Sequence, residues 1–358
     1  MARLLTLQVA RGVAANLVIF SHLVQVEAKF IDGGSILPAF FFYGISGVDL
    51  FFVLSGFIMV VVAGKRTSAL EFLWRRSARI YPAYWLVSLA VLGVSLVKPE
   101  WVNAAVKAPI SIWRSFLLVP GPTAPLLGVG WTLVHEIYFY LVFAAILALR
   151  IPILIGLIGW AVILTTVVLV AGDYVIRFPI GFIWTNPLTA EFIAGAVIGL
   201  LYERKRIYMP NLVGVTGLVA LAISIVFVAP ALNLENSMHP FAYRTIVFGI
   251  PMALIVYWLA GIEQTSVASP PRWLVALGDW SYGTYLLHLL ILSVLGRTIH
   301  AVAPTGILSS VELLVVGFVG ANIAGGVLYN YFERPTLKFL NRMGASAFDQ
   351  AKPEIVSP

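Results

Sequence analysis

The sequence contains no cysteine among its 358 residues. Disulfide bonds, thiolate metal sites and iron–sulfur clusters are therefore excluded, because each of them requires cysteine sulfur. A thioester intermediate on the protein is excluded for the same reason. A group carried covalently by this chain must rest on the oxygen of Ser, Thr or Tyr, or on a His nitrogen.

Charge is also scarce, since Asp, Glu, Lys and Arg make up only 11% of the chain against about 25% in soluble domains. Hydrophobic residues make up 60%, an excess that one soluble core cannot bury. The composition therefore predicts an integral membrane protein. The formal net charge of +7 is typical of the cytoplasmic loops of such a protein and does not indicate nucleic-acid binding.

Long apolar runs recur along the chain, and a membrane-spanning helix needs about 20 such residues. The runs do not alternate between polar and apolar residues as the strands of a β-barrel do. The sequence predicts an all-α fold, a polytopic integral membrane helical bundle of about ten transmembrane helices at 1–335 with a short polar tail at 336–358. The predicted spans are 4–24, 39–63, 80–97, 127–149, 151–171, 182–201, 212–231, 241–260, 273–295 and 306–329.

Lys and Arg are concentrated in the short loops on one side of this predicted bundle. Examples are the cluster Arg204, Lys205 and Arg206 and the cluster that ends at Arg79. Such clusters remain on the cytoplasmic side of a membrane. Both termini and the polar tail are therefore predicted to be cytoplasmic.

Arg11 and His22 are ionisable residues inside the first predicted span. They lie eleven residues apart, close to three helical turns, which places them on one face about 16 Å apart along the helix. Taken alone, Arg11 is explained by snorkelling to the interface as well as by a function, and His22 is explained by an interfacial position as well as by a function. Together they indicate a polar path, because charges at membrane depth usually face a bundle interior or a water-filled cavity.

Asp49 falls near mid-depth of the second predicted span, in GVDLFFVLSGF. A single carboxylate there must be protonated or paired with a cation such as Arg11 or His22. The small residues Gly47 and Gly56 of the same span also fit close helix packing, which is the structural alternative for the segment.

Glu136 lies near mid-depth of another span, in GWTLVHEIYFYLVF. Thr132 and Tyr140 stand one turn before and after it, so the three residues form a polar stripe. His135 points about 100° away, and an interhelical hydrogen bond explains it as well as catalysis does.

Ser281, Tyr285 and His288 recur at i, i+4 and i+7 in WSYGTYLLH and so line one face of the ninth span. Aromatic packing explains this face as well as a functional site does.

Arg76 and Arg79, in WRRSARIYPAYW, lie three residues apart near the start of the third helix. Arginine forks beside a helix N-terminus suit phosphate groups, although ordinary positive-inside anchoring explains most such clusters.

Taken in order, these segments resemble the acyltransferase-3 family of membrane O-acyltransferases, over nearly the whole chain from Leu7 to Pro335. The matching segments are QVARGVAANLVIFSHL with Arg11 and His22, GVDLFFVLSGFIM with Asp49, RRSAR with Arg76 and Arg79, GWTLVHEIYFYLVF with Trp131, Thr132, Leu133 and Glu136, SYGTYLLH with Ser281, Tyr285 and His288, and YFERP.

The resemblance implies a multi-pass protein of the bacterial inner membrane that transfers an acyl group to a hydroxyl. The expected donor is acyl-CoA, commonly acetyl-CoA, and the expected acceptor is a carbohydrate or a lipid-linked glycan. Membrane lipid is a further expected partner, and neither a metal nor a nucleic acid is expected. Within the family, the chain looks most like exopolysaccharide O-acetyltransferases.

The resemblance also assigns roles to the site residues. Arg76 and Arg79 would bind the CoA phosphates at the cytoplasmic side. His22 would be the general base toward a sugar hydroxyl, or a transient acyl carrier, because an imidazole titrates near neutral pH. Either Glu136 or Asp49 would orient its ring.

The oxyanion of the reaction has three candidate partners, Arg11, Tyr285 and His288. Ser281 and Trp131 are further candidates for substrate contact.

Two other functions compete with this interpretation. A transporter or flippase for a glycan or lipid-linked intermediate would also place charges inside the membrane. A polytopic glycosyltransferase would depend on loop carboxylates such as Glu27 or Asp32 rather than on His22.

Overall fold

The computed structural model describes residues 4–32, 36–63, 67–102, 110–121, 123–175, 183–234, 241–265, 269–302 and 305–350. Within these ranges the chain is helical, and strand pairing is limited to an isolated bridge between Asp32 and Thr305. The predicted all-α, polytopic helical architecture is confirmed.

The main helices of the described chain are numbered here in chain order. Short 3₁₀ or π-helical segments join some of them: Ala39–Ser46 precedes the second helix, Ser224–Val228 follows the eighth, Thr245–Gly249 precedes the ninth and Tyr329–Glu333 precedes the twelfth. The helices are α1 (Leu5–Phe30), α2 (Gly47–Ala63), α3 (Ala69–Val97), α4 (Ile112–Leu117), α5 (Gly130–Ala148), α6 (Ile153–Val175), α7 (Leu188–Glu203), α8 (Pro210–Ile223), α9 (Ile250–Thr265), α10 (Arg272–Val302), α11 (Ile307–Leu328) and α12 (Arg334–Gln350).

Nine helical segments in the described ranges are long and apolar enough to cross a membrane, where the sequence predicts about ten. The difference is the predicted span at 182–201. There α7 has only 16 residues, which corresponds to about 24 Å and is shorter than a hydrocarbon core of about 30 Å. The predicted tail at 336–358 is helical as far as Gln350, and residues 351–358 lie outside the described part of the chain.

The chain divides into two compact units. The first unit comprises Met1–Val62 and Leu157–Gly326, and the second comprises Ala63–Gly156 and Val327–Pro358.

In the first unit, α1 packs along α10 through small residues. A β-carbon on Gly12 would lie 2.9 Å from the backbone nitrogen of Gly278, and a β-carbon on Gly278 would overlap the carbonyl oxygen of Gln8. Further along both helices, Phe30 packs on Gly296, so α1 and α10 run parallel. Small residues allow this backbone contact, which sets the spacing of the two helices.

In the second unit, both α5 and α12 pack against α3. The helix begins after Ser68, whose hydroxyl accepts the Glu71 N–H at 3.2 Å as an N-cap. Trp74 donates from Nε1 to the carbonyl oxygen of Leu340 at 3.1 Å and so anchors α12 on α3. Phe72 is buried on the same helix and packs on Phe143 of α5.

Candidate active site

His22 of α1 and His288 of α10 are in direct contact inside the first unit. Their ring centroids lie 4.9 Å apart and the ring planes meet at 64°, an edge-to-face arrangement. His288 is fully buried and His22 is half-buried. The contact follows from the parallel packing of α1 on α10, because each histidine stands ten residues beyond the glycine of its helix at the Gly12–Gly278 contact.

Backbone carbonyls fix the tautomer of both histidines. Nδ1 of His22 lies 2.9 Å from the Val18 carbonyl oxygen, and Nδ1 of His288 lies 2.7 Å from that of Tyr285. A carbonyl oxygen can only accept a hydrogen bond, so each Nδ1 carries the hydrogen and the Nε2 of each neutral ring holds a lone pair. Nε2 of His288 is buried and has no hydrogen-bond partner in the described part of the protein.

Tyr285 extends this pair toward α2. Its ring centroid lies 5.7 Å from that of His288 and 5.7 Å from that of Phe51. Ser281, one turn earlier on α10, is fully buried, and its hydroxyl has no hydrogen-bond partner among the described residues. Arg11 lies on α1 eleven residues before His22 and is half-buried.

Asp49 is paired with Arg244 rather than with Arg11 or His22, the two cations that the sequence suggested for it. Nε of Arg244 lies 3.1 Å from each carboxylate oxygen, and its Nη2 lies 2.8 Å from Oδ2 of Asp49 and 3.0 Å from the carbonyl oxygen of Ile45. The Asp49 side chain is fully buried and the Arg244 side chain is 15% exposed. The charge of the Asp49 carboxylate is therefore compensated by Arg244.

Arg244 was not assigned a role by sequence analysis, because it lies at the start of a predicted span where an arginine is easily taken as a flanking residue. A signal was available: no Asp or Glu stands within four residues of Arg244. A cation at the edge of an apolar run, without an acid within one turn of it, requires a partner from elsewhere in the fold.

Glu191 of α7 adds a second carboxylate to this pair. It is 2% exposed and lies within electrostatic range of Asp49 and Arg244. Neither of its carboxylate oxygens has a hydrogen-bond partner in the described part of the protein. The π-helical turn Thr245–Gly249 passes close to it, since a β-carbon on Gly249 would lie 2.6 Å from Oε1 of Glu191. Turns of this kind are frequent at functional sites.

In the second unit, Arg76 lies against the aromatic rings of Phe72 and Tyr140. Its guanidinium carbon is 5.8 Å from the Phe72 ring centroid and 5.9 Å from that of Tyr140, within the range of a cation–π interaction. The Tyr140 hydroxyl donates a hydrogen bond to Glu136. Two motifs that are separate in the sequence, RRSAR and GWTLVHE, are thus joined through one tyrosine.

Arg79 forms an ion pair between its Nη1 and Oε1 of Glu333, in the π-helical turn Tyr329–Glu333. The Glu333 side chain is 3% exposed and the Arg79 side chain is 20% exposed. The motif YFERP is visible in the sequence, but the sequence predicts no role for Glu333, since no spacing rule links it to RRSAR.

Trp131 lies in the first turn of α5. Its ring is perpendicular to that of His135 with centroids 5.7 Å apart, and Nδ1 of His135 donates to the Trp131 carbonyl oxygen at 3.0 Å. This hydrogen bond along the helix accounts for His135 in structural terms.

Glu27 is one of the two carboxylates that the glycosyltransferase hypothesis places in a loop, but it lies in α1 and is fully buried. It accepts hydrogen bonds from the backbone amides of Ile36 and Leu37, at 3.0 and 3.3 Å. A buried carboxylate that is bonded to the backbone in this way is not presented to a substrate. Within the described residues, no group of three or more His, Asp or Glu is arranged to hold a metal ion.

The amino-acid sequence of the chain matches one protein family over most of its length. Residues 4–330 match the family described as an acyltransferase domain, Acyl_transf_3. The chain belongs to the acyltransferase-3 family. The resemblance carried by the sequence motifs is confirmed, and the protein is a multi-pass membrane acyltransferase.

Among curated members of the acyltransferase-3 family, the chain is 29% identical to the exopolysaccharide production protein ExoZ of Rhizobium meliloti over 83% of this chain and 91% of ExoZ. It is 27% identical to the acyltransferase MdmB of Streptomyces mycarofaciens over 95% of this chain and 93% of MdmB. It is 25% identical to the peptidoglycan O-acetyltransferase OatA of Listeria monocytogenes over 83% of this chain and 52% of OatA. No solved structure matches the chain.

Proposed function

We propose that this acyltransferase moves an acetyl group from acetyl-CoA to a hydroxyl of an exopolysaccharide sugar, or of its lipid-linked precursor, in the bacterial inner membrane. The acceptor class is supported by the similarity to ExoZ, which extends over 91% of that protein. The acetyl group is supported by the similarity to OatA, which is named as an O-acetyltransferase.

The observation that carries the proposal is the geometry of His22. The hydrogen bond from Nδ1 to the Val18 carbonyl oxygen, at 2.9 Å, leaves the lone pair on Nε2. Because a backbone group already fixes the ring, no carboxylate is needed on Nδ1 to make His22 a base. His22 is also half-buried, whereas its neighbour His288 is fully buried, so His22 is the member of the pair that a substrate can reach.

In the proposed reaction, Nε2 of His22 takes the proton of the acceptor hydroxyl as the oxygen attacks the thioester carbonyl carbon. The carbon–sulfur bond then breaks, and the CoA thiolate leaves and takes up the proton from the imidazolium. The balanced products are an O-acetyl ester and CoA with a free thiol. Should His22 act as the acyl carrier instead, Nε2 attacks the thioester carbonyl carbon, and the carbon–sulfur bond breaks to release the CoA thiolate. The acceptor oxygen then attacks the acyl-imidazole, the carbon–nitrogen bond breaks to free His22, and the proton of the acceptor hydroxyl passes to the thiolate, which gives the same products.

Tyr285, whose ring contacts that of His288, is the proposed donor to the oxyanion. Arg11 lies about 16 Å before His22 along α1 and is assigned to the polar path that leads to it. His288 is a weaker candidate than it is in the sequence, because its Nε2 carries a lone pair rather than a hydrogen when Nδ1 is bonded to Tyr285. We assign His288 to packing against the ring of His22, and Ser281 and Trp131 to substrate contact. Asp49 and Glu136 are assigned to ordering Arg244 and Tyr140, which they contact.

Arg76 and Arg79 are the proposed binding groups for the CoA phosphates. Guanidinium groups bind phosphate through paired N–H donors, and both arginines stand on one side of α3. The cation–π contacts of Arg76 with the rings of Phe72 and Tyr140 restrain its guanidinium.

The proposal is tested with membrane vesicles that contain the protein, isotope-labelled acetyl-CoA and the surface-polysaccharide or lipid-linked fraction of the host. We expect labelled ester with the parent chain and none with His22→Ala. The matched control is His300→Ala, because His300 is an exposed histidine of α10 that bonds the Phe30 carbonyl oxygen of α1 at 2.9 Å. That variant should transfer label at the parent rate.

Near-normal transfer by a correctly inserted His22→Ala would remove His22 from the chemistry. If neither chain transfers label, but the acceptor crosses the membrane only when the protein is present, a glycan transporter replaces the proposed activity.

A further inference from the structure

Arg79 and Glu333 form a buried ion pair in the second unit, at the position assigned above to donor phosphate binding. Their side chains are 20% and 3% exposed respectively. The carboxylate belongs to the π-helical turn Tyr329–Glu333, and Trp74, five residues before Arg79, bonds Leu340 in the following helix α12. The turn is therefore held against α3 next to the arginine.

An incoming phosphate cannot simply take the place of Glu333. A buried carboxylate that loses its cation is left uncompensated in a low-dielectric environment, which is far more costly than exposing one at the surface. A guanidinium has five N–H donors in a rigid plane, and Glu333 contacts it at Nη1. The ion pair therefore restrains the Nη1 end of the guanidinium while it persists.

We infer that Glu333 is a positioning residue for the acyl donor: it orients the Arg79 guanidinium so that this group meets a phosphate of CoA in a fixed geometry. The inference rests on the proposed function, in which Arg79 binds the donor. Glu333 acts through Arg79 and does not touch the reacting atoms. Its replacement should alter the binding of the donor and leave the chemical step unchanged.

The test is equilibrium binding of CoA to the purified, detergent-solubilised full chain, together with steady-state kinetics for acetyl-CoA. Glu333→Gln is nearly isosteric and removes the charge that orients Arg79. We expect a roughly 10-fold higher Kd for CoA, the size of a lost hydrogen bond to a charged group. The KM for acetyl-CoA should rise in parallel, with kcat at saturating donor unchanged.

The matched control is Glu71→Gln. Glu71 also pairs with an arginine of α3, Arg75, at 2.5 Å, but the Arg75 side chain is 47% exposed. This variant should leave the Kd for CoA unchanged. Glu333→Asp keeps the buried charge but shortens the side chain by one methylene group, which moves the carboxylate away from Arg79. It is the second variant to use if Glu333→Gln does not fold, and it should also raise the Kd for CoA.

A double-mutant cycle separates positioning from general structural damage. In an Arg79→Gln background, Glu333→Gln should have no further effect on the Kd for CoA. The inference would be overturned if the effects of the two substitutions on the Kd were additive, or if Glu333→Gln alone left the Kd for CoA unchanged. Tighter binding of CoA by Glu333→Gln would also overturn it, because that result would show that Glu333 competes with the phosphate. If Arg79→Gln itself leaves CoA binding unchanged, the donor role of Arg79 fails and the role of Glu333 fails with it.

Discussion

Arg244 donates three hydrogen bonds to the carboxylate of Asp49, at nitrogen–oxygen distances of 2.8 to 3.1 Å, across 195 positions of the sequence. The bond from the same guanidinium to Ile45, just before α2, adds a fourth contact. One arginine thus ties the start of α2 to the turn that leads into α9. Because Asp49 is fully buried, the charge of each partner depends on the other for compensation.

Removal of either partner should strongly destabilise the protein. Breaking a buried ion pair costs about 3–5 kcal/mol, since the remaining charge is left unpaired. We expect a loss of this order in the free energy of unfolding for Asp49→Asn and for Arg244→Gln, with partial recovery in the double variant, where neither charge remains. Intrinsic tryptophan fluorescence during thermal unfolding in detergent measures these differences.

The pair Glu71–Arg75 provides the comparison, because it also joins a carboxylate to an arginine but lies at the surface with Arg75 47% exposed. Glu71→Gln should cost about 0–1 kcal/mol. An Arg244→Gln variant as stable as Glu71→Gln would show that Asp49 does not rely on Arg244.

The residues that sequence analysis found are those whose relationship is local. Arg11 and His22 lie on one helix, so helical periodicity alone places them on one face. The stripe of Ser281, Tyr285 and His288 follows from the same arithmetic, and all three are buried on α10.

The relationships that it missed join distant parts of the chain. The contact of His22 with His288 depends on the backbone approach of α1 to α10, and the partner of Asp49 lies 195 residues away. No periodicity specifies such pairs. The span at 182–201 was overestimated for a related reason, since hydropathy does not reveal that α7 is only 16 residues long.

The N-terminus of α1 is capped from another helix, and this contact provides a second prediction. Glu263 of α9 accepts the amide hydrogens of Leu5 and Thr6, at 3.0 and 2.8 Å. Glu263→Ala should cost about 1–2 kcal/mol, the value of a helix cap, and should speed hydrogen exchange at the first turn of α1. Peptide-level exchange by mass spectrometry measures this, with Glu203→Ala, an exposed carboxylate at the end of α7, as the control. Unchanged exchange in Glu263→Ala would mean that the cap does not hold this turn.

Tyr140 has two separable contacts, and a third prediction distinguishes them. Its hydroxyl bonds Glu136 and its ring lies 5.9 Å from the guanidinium carbon of Arg76. Tyr140→Phe keeps the ring and should leave the Kd for CoA unchanged while lowering stability by about 1–2 kcal/mol. Tyr140→Leu removes the ring as well and should raise the Kd about 2–5-fold, as expected for the loss of one cation–π interaction. Equal CoA binding by the two variants would exclude the ring from donor recognition.

Gly278 lies at a backbone contact between α1 and α10, the helices that hold the two histidines, and this contact leads to a fourth prediction. A β-carbon at this position would overlap the Gln8 carbonyl oxygen. The two backbones are also close at Gly12, where an added β-carbon would lie 2.9 Å from the Gly278 nitrogen. Gly278→Ala must therefore separate α1 from α10, at a cost of about 1–3 kcal/mol for overpacking. Since His22 and His288 contact each other across these same helices, we expect acetyl transfer to fall much more than the binding of CoA.

Gly93→Ala is the matched control for that substitution. Gly93 lies within α3, and a β-carbon there would meet no atom within 4 Å. Alanine favours a helix over glycine by about 1 kcal/mol, so this variant should be as stable as the parent or more so, with unchanged transfer. Gly278→Ala could instead retain the parent's stability and rate of transfer. In that case close packing of α1 on α10 is not what holds His22 against His288, and transfer does not depend on the spacing of these two helices.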